Sequence, residues 1–248
     1  MTKNLLRCAG AVTLALGAAL LCGACASTEG KTTTEDKAAI EKTTRVDNKN
    51  GYTLVITERA PPPLEGEDGL SKVITIVGKA MFSLFEDEVR RNDEAVKKAE
   101  GRGFPPDREF PFSVDYQEGR NDGRLYSVLL IYEWNAGLAH GSSLPFSILW
   151  DKKADNVLGL KDVLPLAGFS SLEDLSEKAR ASLENNINPG GDPELSAMIR
   201  KGTAPDSTKF NVFLLEDSRI TFYFHQYQVG PGALGIQSVS FPVKQARR

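Results

Sequence analysis

The sequence predicts an α+β fold of antiparallel sheets with packed helices, built as two small subdomains of one module. Three observations carry that reading. Apolar residues alternate with polar ones over short segments between 112 and 150 and again between 210 and 243, the period of half-buried strands. Residues 70–89 instead repeat at helical spacing. Two well-punctuated helix signals then stand between the two strand groups, an order that segregates helices from sheets.

Taken in order, Tyr52 to Thr57 alternates Tyr, Leu and Ile with Thr and Val and reads as a strand, ended by Pro61-Pro62-Pro63. Leu70, Val73, Ile74, Val77, Met81, Leu84, Phe85 and Val89 line one face of a long amphipathic helix, whose β-branched start at Val73–Val77 also fits a strand. The charged run from Glu86 to Glu100 continues it as a solvated face. Strands are expected at Phe112–Tyr116, Arg124–Trp134 and Leu144–Trp150, with Asn121-Asp122-Gly123 turning the first hairpin and Asp155-Asn156 bending the chain after the last. Ser170 and Glu173 form a capping box for a helix carrying Leu172, Leu175, Ala179 and Leu183. Asp192-Pro193 opens a second helix and Gly202 closes it. Phe210–Leu215, Arg219–His225 and Ile236–Val243 return to strands. The glycine-rich 230–235 loop precedes a strand and not a helix, so no helix N-terminus is there to hold a phosphate.

The chain begins with Lys3 and Arg7 followed by an uncharged apolar run from Ala9 to Leu21, the form of an export signal and too short to span a bilayer. The run ends in Leu21-Cys22-Gly23-Ala24-Cys25, which resembles a bacterial lipoprotein lipobox, with Cys25 the acylated residue and Cys22 standing where an aliphatic residue is more usual. Ala26 beside it is not the aspartate of inner-membrane retention, so the expected location is the cell envelope, lipid-anchored, on the periplasmic face of the outer membrane if the cell is Gram-negative. The expected divisions are a leader over 1–24, a flexible tether over 25–49 and two halves over 50–155 and 156–248. The tether expectation rests on a Thr, Lys, Glu, Asp and Asn composition that buries too little to offset its ordering entropy.

Cys8 and Cys22 lie in the leader and the third cysteine is the acylated Cys25 itself, so no disulfide framework is available. Without the leader 28 basic residues face 33 acidic ones, a balance of −5 that gives no electrostatic reason to hold nucleic acid. His140 and His225 are the only imidazoles, in different halves and without a partner at metal-ligand spacing. His140 sits in a turn that it is expected to pin by hydrogen bonding, and His225 is expected at a surface or strand edge. There is no nucleophile elbow and no H-E-x-x-H helix. Carboxylates such as Asp115, Glu133 and Asp151 are plentiful, and a glycosidase needs only two facing across a cleft. The residues themselves point to no enzyme, no cofactor and no metal.

Two stretches carry a family resemblance. Ala136-Gly137-Leu138-Ala139-His140-Gly141, then Phe146–Asp151, then Leu158–Leu164 is similar to a glycine, alanine, histidine turn, a strand ending in aspartate and a leucine, lysine, aspartate dock. Ile220–Pro231 followed by Val239-Ser240-Phe241-Pro242 is similar to the tyrosine, valine, proline signature of the same family, with Leu138 in place of a glycine and Gly232 in place of a tyrosine. The chain thus resembles the RsiV C-terminal and PdaC-like extracytoplasmic domains (domain of unknown function 3298, with a 4163-type N-terminal half). The resemblance implies an α+β module outside the membrane that recognises lysozyme in the anti-sigma relatives and accompanies a catalytic domain in the deacetylases. It makes His140, Tyr227 and Pro231 the candidate binding residues, against the plainer reading that Tyr227, Pro231 and the glycines shape a corner between two strands. The expected function is a lipid-anchored envelope binding protein whose ligand is a lysozyme-type wall hydrolase or peptidoglycan. The alternatives are a peptidoglycan hydrolase using a carboxylate pair and a structural envelope lipoprotein.

Overall fold

The computed structural model describes residues 41–47, 53–59 and 68–243. The expected leader and Cys25 lie outside the described residues, as does the expected tether apart from Glu41–Asp47. That segment is strand β1 (Glu41–Asp47), which corrects the tether expectation there. A polar edge strand needs no burial, because its stabilisation comes from the backbone ladder, here an antiparallel pairing with β2 (Thr53–Arg59).

The first sheet has six strands in chain order, β1 and β2 followed by β3 (Glu109–Asn121), β4 (Leu125–Trp134), β5 (Ser142–Asp151) and β6 (Asn156–Leu158). Every neighbouring pair is antiparallel except β2 and β3. Parallel neighbours need a long crossover, and helix α1 (Asp68–Glu100) supplies it. Its 33 residues run about 50 Å, and Val73, Ile74 and Val77 are helical and turned to the sheet together with Leu70, Phe85 and Val89. Packing of that apolar face outweighs the β-preference of its first turns. Gly101, at φ 74°, ends the helix by donating its N–H to the Lys97 carbonyl at 2.9 Å. Within the charged run the exception to a solvated face is Asp93, which is buried, pairs with Lys97 at 2.5 Å and accepts the Phe104 N–H at 2.7 Å, fixing the turn into β3.

In the second half, α2 (Leu160–Val163), α3 (Leu172–Ile187) and α4 (Pro193–Gly202) precede a three-stranded antiparallel sheet of β7 (Phe213–Leu215), β8 (Arg219–Phe224) and β9 (Gln237–Pro242). The α3 cap is one residue later than the sequence implies. Ser171 accepts the Asp174 N–H at 3.3 Å, while the Asp174 carboxylate accepts the Ser170 N–H at 3.0 Å. The α4 cap is as expected, with Asp192 accepting from Glu194 and Pro193 in the first turn. Leu175, Ala179 and Leu183 of α3 and Ile199 of α4 pack on Ile220, Phe222 and Phe224 of β8.

Strand β4 is buried on both faces. Tyr126, Val128, Leu130, Tyr132 and Trp134 face α1, while Leu125, Ser127 and Leu129 face the second half. There β7 stands against the first sheet, and its outward N–H groups are met by side chains: Phe213 donates to the Ser147 hydroxyl at 2.9 Å and Leu215 to the Ser127 hydroxyl at 3.0 Å. Gly119 of β3 lies against the same strand. A Cβ there would overlap the Leu215 carbonyl oxygen and sit 2.8 Å from Leu214 Cδ1.

Three aspartates tie turns of this fold and set its acid sensitivity. Burial disfavours the charged form of Asp122, but the Leu125 and Arg124 N–H groups and the Arg120 guanidinium outweigh it and bring its pKa down to about 2. For Asp93 burial is likewise outweighed, by Lys97 and the Phe104 N–H. Asp151 is lowered by the Ala154 N–H and by Arg124. A carboxylate with a depressed folded pKa adds stability above its unfolded value, about 4, and that stability is lost as pH falls through the folded value. The urea midpoint is therefore expected to hold level near neutrality and to fall steadily from about pH 4 toward pH 2. Asp122→Asn is expected to flatten part of that decline; an identical slope in the variant would remove Asp122 from the account.

Candidate functional site

Helix α1 packs across one face of the first sheet. Its C-terminal half is fastened down, with Trp134 Nε1 donating to Glu88 at 2.8 Å and Asn92 Nδ2 to the Ala136 carbonyl at 2.9 Å. Its N-terminal half, Val73 to Phe82, is only partly buried, and Gly78 offers no side chain toward the sheet. A cleft of about 520 Å³ opens there. Its floor is Ile56, Phe112, Val114 and Leu130, flanked by Glu58 and Tyr132; its helical wall includes Ile74, Gly78, Lys79, Phe82 and Glu86. A concave, mainly apolar surface with a few converging polar groups is the usual form of a ligand site.

Strand register assembles the polar part. Glu58 pairs with Val114 and Val114 with Tyr132, so Glu58 and Tyr132 stand in one row on either side of a valine. Tyr132 is only 2 % exposed, and its hydroxyl makes no hydrogen bond among the described residues. Burial first, and the Glu58 charge second, push its pKa up to about 12, which keeps the phenol protonated and a donor at any physiological pH. Across the cleft Lys79 and Glu86 form no salt bridge among the described residues.

None of the cleft residues was singled out from the sequence. A signal was present: Leu54, Ile56 and Glu58 share one face of β2, so Glu58 breaks an apolar alternation, and Gly78 interrupts an otherwise apolar helix flank.

The residues that were singled out lie elsewhere. His140 is exposed in the β4–β5 loop and pins nothing among the described residues. The loop is held instead by Asn92, by Arg108 donating to the Gly137 carbonyl at 3.1 Å, and by Asn135 accepting the Gly137 N–H at 2.8 Å. His225 follows β8, half-buried, and burial lowers its pKa. Tyr227 is 65 % exposed, with φ at 68°, a conformation that costs a non-glycine residue about 1–3 kcal/mol. Its ring lies over Gly232, where any Cβ would overlap it. Pro231 is exposed in the same loop. Gln228 braces that corner, accepting the His225 N–H at 3.0 Å and donating to the Gly202 and Lys209 carbonyls at 2.9 and 3.0 Å. No hydrogen bond or ring contact among the described residues joins His140 to Tyr227 or Pro231, and none of the three lines the cleft.

Residues 164–244 match the family model "Protein of unknown function (DUF3298)". The chain is 26 % identical over 161 residues to the peptidoglycan-N-acetylmuramic acid deacetylase PdaC of Bacillus subtilis (strain 168). Together these matches support a PdaC-like, DUF3298-type chain. The PdaC match takes in 65 % of this chain and 33 % of the relative, so the chain spans a third of the length of the deacetylase it resembles. At 161 residues it is also longer than the second half can supply, and so runs into the half that carries the cleft. A crystal structure of a DUF3298 family member from Bacteroides fragilis NCTC 9343 superposes with a TM-score of 0.52 at 14 % identity, over 83 % of this chain and 89 % of that one. This supports the α+β fold. A DUF3298 family protein of Pseudomonas aeruginosa PAO1 has a TM-score of 0.47 at 14 % identity, over 85 % and 96 % of the two chains.

The PdaC likeness suggests a protein related to the cell wall and extracytoplasmic. It also corrects one expectation. The residues point to no enzyme, but the curated relative is a deacetylase, and an assignment that sets enzymatic activity aside does not stand. No helix among the described residues is long and apolar enough to cross a membrane.

Proposed function

We propose that the chain is a cell-envelope protein, tethered through a lipid on Cys25, that takes peptidoglycan as its ligand in the cleft between α1 and β2–β4. The observation that carries this reading is the 161-residue likeness to a peptidoglycan deacetylase, which reaches into the cleft-bearing half. The cleft supplies the surface: an apolar floor for the faces of sugar rings and polar groups at its edges. Sedimentation of the full chain, in detergent, with purified insoluble peptidoglycan tests it. A Cβ at Gly78 would meet nothing within 4 Å, so a bulky side chain there fills the cleft without invading the core. The wild type is expected to co-sediment and Gly78→Trp to stay in the supernatant with an unchanged melting temperature. No co-sedimentation of the wild type would end the reading, and capture of lysozyme in its place would move the ligand from glycan to wall hydrolase.

A second reading has its own observation. Glu58 and Glu86 line the cleft from the sheet and from the helix, and glycoside hydrolysis uses one carboxylate on each side of the scissile bond. On that reading the wild type releases soluble reducing ends from peptidoglycan, and Glu58→Gln or Glu86→Gln lowers the rate at least about a hundredfold. No release by the wild type would dismiss it.

A further inference from the structure

We infer that the cleft recognises an acetamido group, the N-acetyl function of an amino sugar, with the Tyr132 hydroxyl donating to its carbonyl oxygen and Glu58 accepting from its N–H. The inference rests on the peptidoglycan reading and names the group recognised. A secondary amide presents an acceptor, a donor and a methyl group within a few ångströms, and the cleft presents the complement of all three. Tyr132 is buried, protonated and without a hydrogen-bond partner among the described residues. Its hydroxyl opens on the cleft and is not sealed in the core, so a ligand that supplies an acceptor takes the place of water there. Glu58 stands in the same cross-strand row, a carboxylate that only accepts. Val114 lies between the two, with Ile56 and Phe112 in the next row, an apolar seat for a methyl group.

Other small groups match less well. A free ammonium satisfies Glu58 but offers nothing to the Tyr132 donor and meets Lys79 on the opposite wall. A carboxylate satisfies Tyr132 but faces both Glu58 and Glu86. An apolar chain leaves both polar groups desolvated and unpaired. The neutral amide is the group that pairs each of them.

Calorimetric titration of the full chain, in detergent, with N-acetylchitotetraose and with fully deacetylated chitotetraose tests this. The acetylated tetramer is expected to bind at least tenfold more tightly. Tyr132→Phe is expected to weaken it about fivefold or more at an unchanged melting temperature. Glu58→Gln keeps a carbonyl acceptor and is expected to retain most of the affinity, whereas Glu58→Leu loses it. Equal or tighter binding of the deacetylated tetramer would overturn the inference, as would a neutral Tyr132→Phe. If peptidoglycan still sediments the wild type while the acetylated tetramer neither binds nor competes, the acetamido assignment falls and the peptidoglycan reading stands. If neither peptidoglycan nor the tetramer binds, both fall.

Discussion

Phe222→Ala is expected to lower the unfolding free energy by about 3–5 kcal/mol, the range for removing a fully buried aromatic ring. Phe222 is completely buried on β8 and is the ring that its neighbours share: Phe210, Phe213, Phe169 and Phe241 lie with centroids between 6.0 and 6.3 Å away. Edge-to-face pairs of this kind add about 0.5–1.5 kcal/mol each beyond area burial. Because the neighbouring rings come from three separate segments, no single one can move in to close the cavity. Against the 5–15 kcal/mol typical of a domain, the loss removes a large part of the total. The measurement is a urea melt followed by far-ultraviolet circular dichroism. A shift below about 1 kcal/mol would mean that the site collapses freely, contrary to the packing seen.

Gly119→Val is expected to cost about 3 kcal/mol or more, by a different route. The added side chain collides with the Leu215 backbone oxygen, which cannot rotate away as a flexible side chain could. Overpacking of this kind costs about 1–3 kcal/mol by itself. If β7 withdraws to make room, the N–H groups of Phe213 and Leu215 lose their serine partners, each a further desolvation cost of about 1–3 kcal/mol while they stay buried. Ser127→Ala removes only the second partner and gives the smaller reference effect. A splitting of the melt into two transitions in Gly119→Val is the expected signature, since the seam between the sheets is what the residue serves. A single transition at the wild-type midpoint would show that the seam tolerates the side chain.

Much of the fold is legible in the residues because local signals and tertiary packing agree. Asp192-Pro193 and Gly202 mark α4 at both ends, and the turn at Asn121-Asp122-Gly123 sits where β3 gives way to β4. Misses occur where tertiary context decides. β1 is polar apart from Val46, so no apolar periodicity announces it, and only the ladder with β2 makes it a strand. β7 begins at Phe213 and not at Phe210, because Phe210 closes a 3₁₀ turn over Ser207–Lys209 and drops its ring into the core. The parallel pairing of β2 with β3 is likewise invisible until α1 is known to be one uninterrupted helix. The cleft is harder still to see. Glu58 and Tyr132 are 74 positions apart and meet through a register that neither residue encodes alone.

The two serines at the seam also close one route by which another chain could add to the sheet. A strand with one bonded side and one bare side is a template on which another chain can add, the usual beginning of sheet-to-sheet aggregation. β7 is such a strand, short and wholly apolar, and its bare amides at Phe213 and Leu215 are already taken by hydroxyls from within the same molecule. The hydroxyls do not extend a ladder, so growth along that direction stops where they bind.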